Sequence, residues 1–206
     1  MSSSVSEELT EQKVRLRRQA YDARNGQENK DEVSRIIIAK FVGQPEYTRA
    51  ETVMWYLDIR SEVRTRPAIG EAIESGKRIV VPYCTLDEYG EKRLGLWHLE
   101  SVNEMVPGKW NTLEPPRSRW DEPGKVVSPT ELDLVMVPGV GFDRSGARMG
   151  NGQGYYDRLL RQVRPDTPLI APAFECQLFD EIVVGPHDIF MDKVITEFDV
   201  YVGPVR

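Results

Sequence analysis

The sequence has 206 residues, 40% hydrophobic and 29% charged, a balance that supports one buried core and excludes disorder throughout. Its formal net charge of -6 is a poor match for DNA or RNA, whose sequence-independent binding needs many cations on phosphate, although a local basic pocket can still hold a small polyanion. Cys84 and Cys176 stand far apart and outside any CxxC pair, and His98 and His187 are the whole histidine complement, so neither a disulfide framework nor a thiolate or histidine-rich metal centre is expected.

The first residues carry no basic stretch followed by an apolar one, and no run approaches the roughly 18 apolar residues of a membrane span. A cytoplasmic protein with no membrane partner, folded as a single domain over 1–206, is the expectation. Residues 7–24 read as a helix with Leu9, Leu16, Ala20 and Ala23 on one face and Lys13, Arg15, Arg17 and Arg18 on the others. A second helix is expected over 29–42, with Val33, Ile36, Ile37 and Phe41 on its buried stripe, stopped by Gly43 and Pro45. Residues 52–57, Thr-Val-Met-Trp-Tyr-Leu, suit a buried strand. A helix over 66–75 and a buried strand over 78–81, ended by Pro82, follow. This alternation marks an α/β domain with a mainly parallel sheet.

Residues 92–100 read as a strand of partial alternation, and 107–129, rich in Pro, Gly and charge, as a long loop of the kind that serves as a lid or binding loop. Residues 132–137 form the clearest core strand of the C-terminal half, ended by Pro138 and Gly139. A helix over 155–163 and strands at 169–171 and 194–196 complete the pattern.

Between that core strand and the helix at 155 lies Pro-Gly-Val-Gly-Phe-Asp-Arg-Ser-Gly-Ala-Arg-Met-Gly-Asn-Gly-Gln-Gly-Tyr-Tyr-Asp-Arg, residues 138–158. Open α/β sheets bind ligands at such strand-to-helix junctions. Gly146, Gly150, Gly152 and Gly154 permit close backbone approach, loop N–H groups can hold phosphate oxygens, and Arg148 adds a forked cation. Asp157 could hold Mg²⁺. The glycine spacing fits neither a Walker P-loop nor a dinucleotide fingerprint, so these residues support an anion site, with a plain tight turn as the other reading, and name no substrate.

The stretch PGxxFDxxGxRxGxGxGYYDR resembles the signature of the 5-formyltetrahydrofolate cyclo-ligases, also called methenyltetrahydrofolate synthetases. Lys13 to Arg17 resembles the family's KxxxR, 57–63 its strand-end segment with an acid, Trp110-Asn111 with Pro115 its WN…P loop, and 186–197 its closing PHDxxxDxxxTE. The resemblance implies a three-layer α/β/α single domain and a monomer that converts ATP and 5-formyltetrahydrofolate to 5,10-methenyltetrahydrofolate, ADP and phosphate with Mg²⁺. By the same resemblance, Lys13, Arg17, Arg148 and Met149 with Gly150, Asn151, Gly152, Gln153, Gly154, Tyr155 and Tyr156 form the ATP site. Leu57, Glu62, Trp110 and Tyr155 would meet the folate, Arg148 and Glu62 would act in catalysis, and Asp157 and Asp192 would hold the metal, with Asp188 an alternative to Asp192. Tyr156 also suits the core, and His187 reads as structural or capping. One departure is Gln153, where many members carry lysine. It keeps open a related ATP-dependent enzyme of different substrate, beside a non-catalytic nucleotide- or RNA-binding module on the same fold.

Overall fold

A seven-stranded mixed sheet forms the centre of the molecule in the computed structural model, which describes residues 2–108, 112–185 and 188–204. The N-terminal half runs α1 (Ser2–Gly26), α2 (Lys30–Val42), α3 (Pro45–Arg49), β1 (Thr52–Met54), α4 (Arg66–Glu74), β2 (Arg78–Leu86) and β3 (Lys92–His98). Two short strands, β4 (Val106–Pro107) and β5 (Leu113–Glu114), precede β6 (Leu134–Met136), β7 (Gly141–Asp143) and β8 (Arg148–Met149). Helix α5 (Tyr155–Leu160) then leads to β9 (Leu169–Pro172), β10 (Leu178–Phe179), β11 (Lys193–Ile195) and β12 (Val200–Val202).

The sheet order is β12-β11-β9-β6-β1-β2-β3. Its five inner strands pair in parallel, while β3 and β12 close the edges antiparallel. Strands β1 and β6 are buried at every position, as expected where both faces of a parallel sheet are covered. Successive side chains alternate between the faces. Val53, Ile79, Leu134 and Ile195 pack under α2, α3 and α4 through Ile37, Phe41, Tyr47 and Ile69. Met54, Val80, Val135 and Val194 face the other way, against Phe142 and the Leu159–Leu160 pair of α5. This is the three-layer α/β/α arrangement. A third cluster seats α1 through Ala20 and Leu16 on Val140, Ala147, Met149 and Ile182, beside a small sheet ordered β10-β7-β8.

Several boundaries differ from the sequence expectation, each for a physical reason. The strand expected over 52–57 leaves the ladder after Met54, although the Trp55 N–H still donates to the Val80 carbonyl at 2.8 Å. Strand β2 does not end at Pro82 but runs on to Leu86. Val80 turns its carbonyl to β1 and Ile79 turns its own to Leu99, so Pro82, two residues beyond Val80, faces the side where β1 has ended and no N–H is needed. Pro45 opens α3 at its first turn instead of only stopping α2. The 107–129 stretch contains the β4–β5 pair, and its far end is pinned by the buried Lys125, whose Nζ lies 2.6 Å from both Glu100 Oε2 and Glu104 Oε1. The small sheet and β12 were not expected.

Candidate active site

The 138–158 segment divides into a half that shapes the fold and a half that faces a cleft. In the first half, the buried Asp143 carboxylate accepts the N–H groups of Ser145 at 2.9 Å, Ala147 at 3.1 Å and Ile182 at 2.9 Å. Gly146 sits at φ +88°, and a Cβ there would lie 2.4 Å from the Met191 carbonyl oxygen, so only glycine fits. This turn brings Arg148 back under Pro138. Gly154, at φ +68°, turns the chain into α5.

The cleft opens where the sheet order reverses. From β1 the chain proceeds outward to β2, and from β6 it proceeds the other way to β9 and β11, so the carboxyl ends of β1 and β6 splay apart and leave a crevice. Its volume is about 430 Å³. One side is built from Tyr56, Leu57, Arg60 and Glu62 after β1, the floor from Pro138, Gly139 and Arg148, and the far wall from residues 150–157. Leu113 and Glu114 of the 107–129 stretch, with Tyr83, Cys84 and Lys92 of the β2–β3 hairpin, complete it.

Arg148 is buried at this floor. Its Nη2 donates to Asp157 Oδ1 and its Nη1 to the Pro138 carbonyl at 3.2 Å, while its buried Nε has no partner. A guanidinium in the lining beside a glycine-rich loop suits an anionic ligand oxygen. Asp157 is a half-exposed carboxylate in the lining, as is Glu114.

Across the cleft, Glu62 is buried, with Oε2 accepting the Ile59 N–H at 3.0 Å and Oε1 3.8 Å from Arg24 Nη1. Burial pushes its carboxyl from 4.5 up to about 7, against the pull of Arg24 and the Ile59 N–H. Tyr56 and Tyr156 flank it; burial and the Glu62 charge hold both phenols well above their usual value. Arg24 is 3% exposed and donates to Ser61 Oγ and to the Gly139 carbonyl, both at 3.1 Å. It thereby ties α1 to both lips of the crevice.

Helix α1 supplies a stripe at i, i+4 spacing beside the 150–154 loop. Lys13 Nζ pairs with Asp188 Oδ2 at 2.9 Å, Arg17 Nε donates to the Gly150 carbonyl at 3.0 Å, and the Tyr21 hydroxyl bonds Asn151 Oδ1. Burial alone would raise the Asp188 carboxyl, but the Gly185 N–H and Lys13 hold it below the usual range.

A model of the 5-formyltetrahydrofolate cyclo-ligase family matches residues 9–197. The chain belongs to that family. The 5-formyltetrahydrofolate cyclo-ligase of Escherichia coli K12 is 28% identical over 189 residues, 91% of this chain and 98% of that one. The mouse protein of the same name is 29% identical over 170 residues, 80% and 82% of the two chains. Among solved structures, the 5,10-methenyltetrahydrofolate synthetase of Aquifex aeolicus superposes with a TM-score of 0.77 at 29% identity, covering 92% of each chain. A structure from Mycoplasma pneumoniae at 22% identity, TM-score 0.68, shares the fold.

Against the cyclo-ligase expectations, the structure brings Leu57, Glu62, Arg148, 150–157 and their tyrosines to one cleft, with Lys13 and Arg17 bonded at its edge. Two residues stand elsewhere. Met149 is buried in the α1 cluster, and its carbonyl accepts the Val140 N–H at 2.8 Å; it follows Arg148 in a strand, so its side chain must point the opposite way. Asp192 lies at the amino end of β9, where its Oδ2 accepts the Leu169 N–H at 2.7 Å; it is outside the cleft lining and does not join Asp157. Trp110, together with Asn111, Pro186 and His187, lies outside the described residues. Thr196 and Glu197 of the closing motif serve the fold, through hydrogen bonds to the Glu175 carboxylate and N–H. Tyr21 and Lys92 line the cleft and Arg24 braces Glu62 and Gly139 behind it; sequence reasoning missed all three. The stripe from Lys13 and Arg17 extends by another four residues to Tyr21, and Arg24 lies one turn past Ala20 on the apolar face, a signal available in the sequence.

Proposed function

We propose that this chain catalyses the ATP-dependent cyclisation of 5-formyltetrahydrofolate to 5,10-methenyltetrahydrofolate, releasing ADP and phosphate. One observation carries the reading. Buried Arg148 and the 150–154 loop line a single crevice with a buried carboxyl able to accept the N–H groups of a reduced pterin. Family membership supplies the reaction that needs both halves.

The formyl oxygen of an amide is a poor leaving group. Transfer of the γ-phosphoryl of ATP to that oxygen breaks the bond to ADP and gives an iminium phosphate. N10 then attacks the activated carbon and loses its proton, and the C–O bond breaks to release phosphate. For such a transfer the protein's contribution is positioning and charge neutralisation. Arg148 and the loop amides bind the phosphates, Lys13 and Arg17 add charge from α1, and Tyr155 offers a flat face to the aminobenzoyl or pterin ring. Glu62, held by Arg24 and the Ile59 N–H, fixes the pterin edge.

Among the described residues no three His, Cys, Asp or Glu side chains converge on a metal position. Mg²⁺ does not require such a cage, since it is commonly carried on phosphate oxygens and one or two carboxylates, and Asp157 in the lining fits that use. When bound with the nucleotide, the ion would neutralise phosphate charge.

No helix among the described residues is long and apolar enough to cross a membrane, and we place the enzyme in the cytoplasm as a monomer. The test is turnover with ATP, Mg²⁺ and 5-formyltetrahydrofolate, followed by appearance of the methenyl product. ATP binding without product would reassign the cleft to another substrate.

A further inference from the structure

The cations around the 150–154 loop differ in how their charge is used. Arg148 is bonded to Asp157 and Lys13 to Asp188, so part of each charge is already answered by a carboxylate. Arg17, Arg158 and Lys92 pair with no carboxylate among the described residues. Arg17 donates to the Gly150 carbonyl at the helix side. Arg158 donates to the Gln153 carbonyl at 3.0 Å and lies over the Tyr155 ring at 5.6 Å. Of the three, Lys92 alone belongs to the cleft lining.

Lys92 reaches the loop from a different element. It opens β3, the antiparallel edge strand packed beside α5, and its exposed side chain crosses to the loop, where Nζ lies 3.1 Å from Gln153 Oε1. A neutral amide oxygen brings no negative charge to answer an ammonium, as a carboxylate or phosphate would. The ammonium is therefore held in place without being neutralised. A triphosphate entering beside residues 150–154 would offer it an anionic oxygen in exchange for the amide oxygen.

We infer that Lys92 is a phosphate-binding residue of the nucleotide site, delivered from the β2–β3 hairpin and parked on Gln153 until ATP binds. The inference rests on the nucleotide reading of the cleft. It also accounts for how the loop works with an uncharged side chain at 153, because the ammonium that this position lacks comes from across the crevice. Ordering of Lys92 on the nucleotide couples the hairpin, which carries Tyr83 and Cys84 of the lining, to occupancy of the loop.

Binding of ATP and of inorganic tripolyphosphate, measured by calorimetry, together with turnover, tests this in wild type, Lys92→Met and Lys92→Met/Gln153→Lys. Lys92 is exposed, so the variants are expected to melt with the wild type. Lys92→Met should weaken both ligands by about tenfold, the scale of one charge-assisted hydrogen bond, and raise the KM for ATP without changing that for the folate. The double variant, which sets an ammonium at the same place from the loop side, should recover to within about threefold of wild type. Wild-type affinity in Lys92→Met overturns the inference, and so does a loss that Gln153→Lys leaves unrepaired. A wild-type protein that binds neither ATP nor tripolyphosphate overturns the nucleotide reading itself; normal binding and turnover with an indifferent Lys92 overturns only the present step.

Discussion

Replacing Glu62 by glutamine should make the protein more stable and less active, and the gain in stability should depend on pH. The folded protein raises this carboxyl from 4.5 to about 7, so the folded state holds the proton more tightly than the unfolded chain. The associated stability is fully present below the unfolded value and is lost as pH rises through the folded one. At pH 8 the ionised, buried carboxylate costs about 3 kcal/mol relative to its neutral form, at about 1.4 kcal/mol per pH unit of displacement. Glutamine is neutral throughout and avoids that cost. Its amide oxygen can still accept the Ile59 N–H, but the attraction of Arg24, 3.8 Å from the carboxylate, is lost, and this takes back about 1 kcal/mol. The net expectation for Glu62→Gln is about 2 kcal/mol of added stability at pH 8 and close to none at pH 5. Urea unfolding at the two pH values would show it as a midpoint raised by about 1 M at pH 8 only, for a slope of about 2 kcal/mol/M. Turnover should fall in the same variant, since an amide cannot replace the carboxylate that the proposed function sets against the pterin N–H groups. Equal midpoint shifts at both pH values, or a less stable variant at pH 8, would refute the assignment of Glu62 as a destabilising charge retained for binding.

The remaining expectations concern other parts of the same architecture. Arg148→Ala should lower kcat/KM by about 100-fold, comparable to loss of one transition-state charge contact, and wild-type kinetics would remove Arg148 from the mechanism. Arg24→Met leaves Glu62 without its buried partner and should destabilise the protein by about 3 kcal/mol at pH 8, most of which Arg24→Met/Glu62→Gln should restore in thermal melts. Gly146→Ala forces a Cβ into the Met191 carbonyl at a left-handed position and should cost at least about 2 kcal/mol, lowering Tm without altering KM in the protein that remains folded. Asp192→Asn preserves much of the Leu169 contact and stands outside the cleft, so turnover and magnesium dependence should stay near wild type; a large rise in the magnesium requirement would return Asp192 to the metal site.

The elements with strong local periodicity were legible before the fold was known. Helices α1, α2 and α4 carry apolar stripes, and β1, β2, β6, β9 and β11 carry β-branched or apolar runs between turn residues. The small sheet was not legible, because β7 and β8 are two- or three-residue strands in a glycine-rich stretch whose pairing depends on Asp143 closing the turn and β10 arriving from far along the chain. Pro82 misled because proline is excluded only where a neighbouring strand needs its N–H, and the length of β1 decides that. In the site, residues matched to the nucleotide motif converge where the chain itself builds the crevice, whereas Met149 and Asp192 show what spacing leaves open. A strand residue adjacent to a ligand-facing one faces the core, and an acid near a motif can serve as a backbone bracket. Arg24 escaped notice because a helix with several arginines does not announce which of them turns inward.

Helix α1 touches the 150–154 loop through Arg17 and braces Glu62 and Gly139 through Arg24, the two sides that the proposed function gives to phosphate and pterin, yet it rests on the small cluster around Ala20. It therefore behaves as a shared latch. Whichever substrate arrives first would tighten the helix and prepare the opposite end for the second, so nucleotide and folate should each bind more firmly in the other's presence, and amide exchange along 13–24 should slow in steps as the two are added. Anything that peels this helix away, whether a truncation or a grafted partner, would silence both halves of the reaction together.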